Sequence, residues 1–493
     1  MTCVLALDAG TTGVTALVVA VDGSVLSRGY AEFAQHFPRP GWVEHEPEEI
    51  WQAVLAAGRE ALAGSSETPT ALGVTNQRET AVLWRRDGLA VPRLAIVWQD
   101  RRTAAVCERL RAGGHEDRVR QLTGLRLDPY FTASKLTWLA EHDPAAWAGV
   151  TAGETALGTV DSYVVARLTG GRHVTDPSNA SRTLLFDLEG GGWNAELCGL
   201  FGVPVSALPD VVPSSGIVAT TDPRAFLGLE LPVAGIAGDQ QAALFGQACF
   251  SPGESKCTYG TGSFVLVTTG TTAVRSDAGL LTTVAWQLGP DEPLVYALEG
   301  AVFVTGAAVQ WLRDGLQVIG AAAEIEALAA TVPDSGGVVF VPALTGLGAP
   351  DWDPSARGLI AGITRGTTRA HLARATLEAI ACEVRDVVDV MVGEAGLSLP
   401  TLTVDGGASV NDLLCRLQAD QLGVPVRRPR VPETTALGAA YLAGLATGVW
   451  ESQDELRATW GEDASFAPTP GARDDGRHAR WRAAVERAKG WEA

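Results

Sequence analysis

The segment Val4-Leu5-Ala6-Leu7-Asp8-Ala9-Gly10-Thr11-Thr12-Gly13-Val14 sets an apolar run, a carboxylate and a turn of small residues in direct succession, and a second apolar run follows over 14–21. A third run starts at Ser24, after the turn Asp22-Gly23. This succession predicts a meander of strands joined by tight turns. Near the middle of the chain the layout recurs: residues 256–259, then Gly260-Thr261-Gly262, then residues 263–268. Two strand–turn–strand units of one design suggest two related halves, each offering backbone N–H groups to one phosphate chain between them, although such hairpins also recur by chance in mixed chains. Asp8 ends its strand directly before the first turn, where a carboxylate can hold the Mg2+ that neutralises phosphates. An Asp that only caps a hairpin turn reads the same way in sequence.

Outward from these turns, residues 48–63 and 104–111 carry helical periodicity, and 71–75, 81–84 and 94–98 read as short strands, so the first half is mixed α/β. Ile236-Ala237-Gly238-Asp239 is another strand ending in a carboxylate, followed by a helix-like run over 242–249. Asp239 in that position can accept a proton from a hydroxyl attacking phosphorus, or it can cap the helix. Further on, residues 402–404 form a strand, Gly406-Gly407 turns the chain, and a helix begins at about Asn411 with Leu413, Leu414, Leu417 and Leu422 on one face. Residues 434–448, rich in Ala, Gly and Leu, suit a helix packed closely on a neighbour and stopped by glycine. The charged stretch from Gly471 predicts a surface helix, and a domain boundary is expected near Gly246.

Thr75-Asn76-Gln77-Arg78-Glu79-Thr80 puts a guanidinium beside a carboxylate in a polar loop between apolar runs. A small polyol, whose hydroxyls both donate and accept, asks for that combination; a surface ion pair is the plainer reading of an isolated Arg-Glu. Arg101-Arg102 reads equally as a solvated helix start. Trp42, Trp98, Tyr130 and Phe264 lie at or near these turns and can cover carbon atoms and exclude water, or simply belong to the core.

Composition narrows the partners. A 493-residue chain with 46% hydrophobic and 19% charged residues is a folded protein large enough for two domains and a cleft. Its formal net charge of −19, with no long Lys/Arg run, argues against nucleic acid and anionic membranes. Seven scattered cysteines without a C-x-x-C pair argue against zinc and a disulfide framework. No apolar stretch is long enough for a membrane span, and the N-terminus leaves no room for a signal core, so the expected location is the cytoplasm.

Taken in order, Gly41-Trp42-Val43-Glu44-His45-Glu46-Pro47, Thr75 to Thr80, Ile96-Val97-Trp98-Gln99, Asp128-Pro129-Tyr130-Phe131, residues 238–247, Tyr259-Gly260-Thr261-Gly262, Thr345-Gly346-Leu347-Gly348-Ala349-Pro350 and Val404-Asp405-Gly406-Gly407-Ala408 resemble the FGGY family of carbohydrate kinases over nearly the whole chain. The resemblance implies a duplicated, two-domain actin-like ATPase (ribonuclease H-like) fold with the active site in the cleft. Residues 1–246 would bind glycerol and carry the first phosphate loop, and 247–493 would carry the second loop and bind adenosine. It implies phosphorylation of glycerol by ATP and Mg2+ to sn-glycerol 3-phosphate. In that reading glycerol meets Arg78, Glu79, Tyr130, Asp239 and Gln240, with Trp98 and Phe264 on its carbons. Asp239 is the general base and Asp8 a Mg2+ ligand. The nucleotide meets Thr11, Thr12, Gly13, Thr261, Gly306, Gln310, Gly407 and Asn411. A pentulose kinase and an actin-like ATPase or sugar sensor are the rival readings, and homodimer and homotetramer both stay open. The chain departs from the pattern at Ala9, where many members that act on glycerol have Gln. It departs again at Gly13, Val14 and Thr15, where they have Ser-Ser-x-Arg and so keep a cation near the phosphates. The phosphosugar-binding Gly-Gly-Thr-Arg of some relatives is missing from residues 216–231.

Overall fold

The computed structural model describes residues 2–473 and 475–492. β1 (Cys3–Ala9), β2 (Gly13–Ala20) and β3 (Val25–Glu32) form the antiparallel meander read from the sequence, followed by α1 (Pro47–Ala63). β4 (Ala71–Asn76) pairs with β1 in parallel. After α2 (Val160–Thr169), β5 (Ser215–Thr220) and β6 (Pro232–Gly238) complete a six-stranded sheet of order β5-β6-β4-β1-β2-β3, and α3 (Asp239–Gly246) leaves its edge.

The second half repeats this plan. It consists of β7 (Ser255–Tyr259), β8 (Ser263–Gly270), β9 (Leu281–Trp286), β10 (Val295–Val302), α4 (Gly306–Asp314), α5 (Arg369–Ala395), β11 (Leu402–Asp405), α6 (Asp412–Leu422), β12 (Val426–Pro429), α7 (Thr434–Thr447), β13 (Glu462–Phe466) and α8 (Asp475–Ala488). Its sheet runs β9-β10-β8-β7-β11-β12-β13. In each half a central first strand is antiparallel to the second, the second antiparallel to the third, and the first parallel to the fourth, which is parallel to the fifth. The duplication suggested by two short hairpins therefore extends to whole sheets, as in the actin-like fold.

Successive residues of a strand face opposite sides of its sheet, so an apolar run without alternation needs cover on both faces. β1 has it. Leu5 and Leu7 pack with Ile50, Trp51 and Val54 of α1 and Tyr163 and Val164 of α2, while Val4 and Ala6 pack with Ala436, Ala439 and Ala440 of α7. The cover on that second face thus comes from the other half of the chain. Close approach is possible because the contact surfaces lack side chains. A Cβ on Gly73 would lie 2.1 Å from the Ala439 carbonyl oxygen, one on Gly438 1.8 Å from that of Ala242, and one on Gly246 2.1 Å from that of Thr434. The tight packing expected of residues 434–448 is realised against α3 and the first sheet.

Three local expectations change. The strand over 94–98 shrinks to Ala95–Ile96, paired with Glu44–His45. The helix expected over 242–249 starts at Asp239, because Gly238 supplies the extended N-cap. The C-terminal helix is only partly a surface helix: Trp481, Ala484, Val485 and Ala488 are buried against α5 and its surroundings. All seven cysteines are free and buried. Among the described residues no helix is long and apolar enough to cross a membrane.

Candidate active site

Asp239 begins α3 at the carboxyl end of β6, beside the strands that end at Asn76 and Ala9. Functional groups gather at such strand ends in α/β folds. Its Oδ1 forms an ion pair with Arg78, 3.1 Å from Nε, and accepts from the Gln240 N–H at 2.7 Å. No described residue donates to Oδ2, and the side chain keeps 27% exposure to the cleft. Burial raises its pKa above the usual carboxylate value, against the opposing charges of Arg78 and Lys256. A carboxylate with one anchored and one open oxygen, made more basic than usual, suits proton acceptance.

Arg78 and Glu79 are not the solvated ion pair that an isolated Arg-Glu suggests: both are buried. Arg78 forks onto Glu299, with Nη1 2.5 Å from Oε2 and Nη2 3.2 Å from Oε1, and it also donates to Gln241 at 3.2 Å and to the Tyr130 hydroxyl at 3.4 Å. Glu79 is held in the left-handed region (φ 59°) and accepts from Arg182 Nε at 2.7 Å, while Arg182 Nη2 donates to Glu299 at 2.9 Å. Two arginines and two glutamates thus form a closed set whose carboxylate Glu299 comes from β10 of the second half. The two guanidinium groups hold Glu299 down at about 2, against burial. Backbone strain of this kind persists only where the surroundings over-determine it.

The aromatic residues divide. Trp98 meets Tyr130 and Phe264 edge-on at centroid distances of 5.6 and 6.4 Å, and Arg78 lies over the Phe264 ring at 6.0 Å. These three rings and Arg78 build one wall from both halves. Trp42 does not join them; it lies under Arg102 at 3.7 Å and meets Trp138 edge-on at 5.4 Å. Arg102, far from a solvated helix start, is buried between Asp100 and Glu44 at 2.7 Å each.

The turn at Gly10-Thr11-Thr12 approaches the same wall, since Trp98 Nε1 donates to Thr11 Oγ1 at 3.0 Å. Gly13 begins β2 beneath Tyr30: a Cβ there would lie 2.7 Å from the Ala31 carbonyl oxygen and 2.8 Å from the Tyr30 hydroxyl, so a larger residue would force a shift. The second turn is tied to the start of α4, with Gly306 N donating to Gly260 O at 3.0 Å and Ala307 N to Thr261 O at 3.1 Å. Thr261 and Gly306 are therefore neighbours, and Gln310 is exposed one turn along α4. Gly406 (φ 83°) presses against the backbone of Tyr259, leaving open space beside Gly407. Asn411 N-caps α6, its Oδ1 accepting from Leu414 N at 2.8 Å, so its Nδ2 remains for a ligand.

Asp8 Oδ1 is out of contact with solvent and has no hydrogen-bond partner. Burial, reinforced by the charge of Asp239, pushes its carboxyl up to about 8. Such an oxygen fits a cation. Mg2+ is bound in such sites through one or two carboxylates plus phosphate oxygens and water; among the described residues no cluster of three or more His, Cys, Asp or Glu is present.

Sequence reasoning missed Glu299, Arg182 and Lys256. For Glu299 and Lys256 the available signal was a charge inside an apolar strand, as in Tyr296-Ala297-Leu298-Glu299-Gly300; Arg182 lies in a turn and gave no such signal. A duplicated two-half fold with paired Gly-Thr turns, a carboxylate of raised basicity at a strand end and a polar cluster walled by aromatic rings from both halves suits a nucleotide-dependent phosphotransferase with an alcohol acceptor. Residues 3–246 match the N-terminal domain of the FGGY family of carbohydrate kinases and residues 255–447 its C-terminal domain. The chain belongs to that family. It is 53% identical to the glycerol kinase of Myxococcus xanthus (98% of this chain, 99% of that relative) and 55% identical to that of Trichlorobacter lovleyi (100% and 99%). Among solved structures, Plasmodium falciparum glycerol kinase with ADP superposes with a TM-score of 0.92 at 32% identity, covering 99% of this chain and 98% of that one.

Proposed function

We propose that this chain transfers the γ-phosphoryl group of ATP to a terminal hydroxyl of glycerol, giving ADP and sn-glycerol 3-phosphate. The observation that carries the reading is the cluster around Arg78, where donor and acceptor groups and three aromatic rings from both halves converge next to the open oxygen of Asp239. Similarity above 50% over the full length to relatives named glycerol kinase supports the choice of glycerol. Arg78 donates to the polyol and Glu79 accepts from it, while Trp98, Tyr130 and Phe264 cover its carbons. Asp239 takes the proton of the attacking hydroxyl as the new O–P bond forms and the bond from γ-phosphorus to the β,γ-bridging oxygen breaks, leaving ADP. General base catalysis of this sort contributes ~10²–10⁴-fold. Backbone and hydroxyl groups of Thr11, Thr12, Gly13 and Thr261 cradle the phosphates, and Gly306, Gln310, Gly407 and Asn411 line the rest of the nucleotide site. Asp8 holds Mg2+, which when bound neutralises the developing phosphate charge. Residues 1–246 form the polyol-binding unit and 247–493 the nucleotide-binding unit.

The test follows ADP and glycerol phosphate together in purified protein with ATP, Mg2+ and glycerol, with Asp239→Asn alongside and xylulose as competitor. Equal, glycerol-dependent formation of both products, reduced at least ~10²-fold in Asp239→Asn, is expected. ADP release indifferent to glycerol, or preference for xylulose, overturns the reading.

A further inference from the structure

Lys256 is the second residue of β7 and is completely buried, in the strand that leads into the second phosphate turn. A lysine there needs acceptors. Thr258, two residues on and so on the same face, accepts from its Nζ at 2.8 Å. The other acceptor lies across the cleft: Nζ donates to Oε1 of Gln240, the residue after Asp239. Asp405 and Asp239 supply the negative charge around the ammonium, and burial lowers its pKa.

The consequence concerns Gln240. A carboxamide has a donor end and an acceptor end, and an ammonium carries donors only. Lys256 therefore decides which end of Gln240 turns inward: the oxygen. The NH2 end donates to no described residue, and Gln240 follows Asp239, whose Oδ1 accepts from the Gln240 backbone N–H. We propose that Lys256 is a positioning residue that makes Gln240 an obligate hydrogen-bond donor to a substrate hydroxyl, forming with Asp239 a donor–acceptor pair that reads one hydroxyl in both senses. The inference rests on glycerol being the acceptor. It also links the polyol subsite, through Thr258, to the turn at Gly260-Thr261-Gly262.

The experiment uses the full chain, saturating ATP and Mg2+, and varied glycerol, with Lys256→Met, Gln240→Leu, the double variant and Gln240→Glu. Loss of one well-placed hydrogen bond predicts a rise in glycerol KM of about tenfold for Lys256→Met and for Gln240→Leu, with KM for ATP moving less than about twofold. The double variant should be no worse than Gln240→Leu, because the lysine acts only through the amide. Gln240→Glu keeps an ion-pair partner for Lys256 and so keeps the fold; having no donor, it too should raise glycerol KM about tenfold. Multiplicative effects in the double variant, or an unchanged glycerol KM in Gln240→Glu, overturn the inference. A wild-type chain inactive on glycerol overturns the functional reading instead, and is distinguished because it appears before any variant is compared.

Discussion

Gly438→Ala adds one methyl group where α7 crosses α3. That methyl would stand 1.8 Å from the Ala242 carbonyl oxygen and 3.0 Å from the Gly246 amide nitrogen, both backbone atoms that no rotamer change can remove. The helices have to separate by roughly 1.5 Å to restore ordinary contact. Overpacking costs ~1–3 kcal/mol, and a 1.8 Å backbone clash puts this site near ~3; less at most ~1 kcal/mol of helix propensity returned by alanine, a net loss of at least ~2 kcal/mol is expected. The kinetic effect is larger, because α3 begins with Asp239. A displacement of ~1 Å in a catalytic group costs ~10²-fold, and kcat should fall by about that factor. Gly393→Ala is the control: in α5 its methyl would meet nothing within 4 Å, so stability should rise by up to ~1 kcal/mol with kcat unchanged. Steady-state kinetics and thermal melts of both variants are the assay. A Gly438→Ala enzyme within about threefold of wild-type kcat, or the same loss in Gly393→Ala, refutes the reasoning.

Glu299→Gln should destabilise by ~3–5 kcal/mol, since it leaves Arg78 and Arg182 buried with less counter-charge, and raise glycerol KM; denaturant titration and kinetics read the two effects. His45 is buried, hydrogen-bonded to Gln77 at 3.3 Å, and held neutral by burial, its pKa lowered to about 4 from 6.5. Unfolding therefore takes up a proton, and stability present above pH ~6.5 declines as pH falls towards ~4, by up to ~1.4 kcal/mol per pH unit. His45→Gln should flatten the melting temperature over that window; an unchanged slope counts against it. Gly13→Ser should cost ~1–3 kcal/mol by overpacking, with Tyr30→Ala recovering only part of the melting temperature because the Ala31 carbonyl stays in place.

The fold was legible where burial on both faces leaves unbroken apolar runs, as in β1, and where two glycine-threonine turns repeat at matching strand ends. Asp239, Arg78 and Glu79 were visible as charges at strand ends and loops. Their surroundings were not, because the partners of Arg78 lie 52 to 221 residues away in the chain and no local pattern announces such contacts. Lys256 and Glu299 were overlooked for the opposite reason: each is a charge in a strand, and reading a strand for its apolar face discards the residue that interrupts it. Trp42 was grouped with the wall on proximity in sequence, whereas packing gave it to Arg102.

The cover that α7 provides for the first sheet has a consequence for how the chain is made. β6 ends at Gly238 and α7 begins only at Thr434, so at ~5–20 residues per second a ribosome takes roughly 10–40 s to supply the missing helix. Throughout that interval Val4, Ala6, Leu17, Val19 and Ala234, buried in the finished molecule partly by α7, have no permanent lid. The nascent N-terminal half is then an aggregation-prone species and a natural client for chaperones, and a truncated product ending before residue 434 should be insoluble however complete its own sheet.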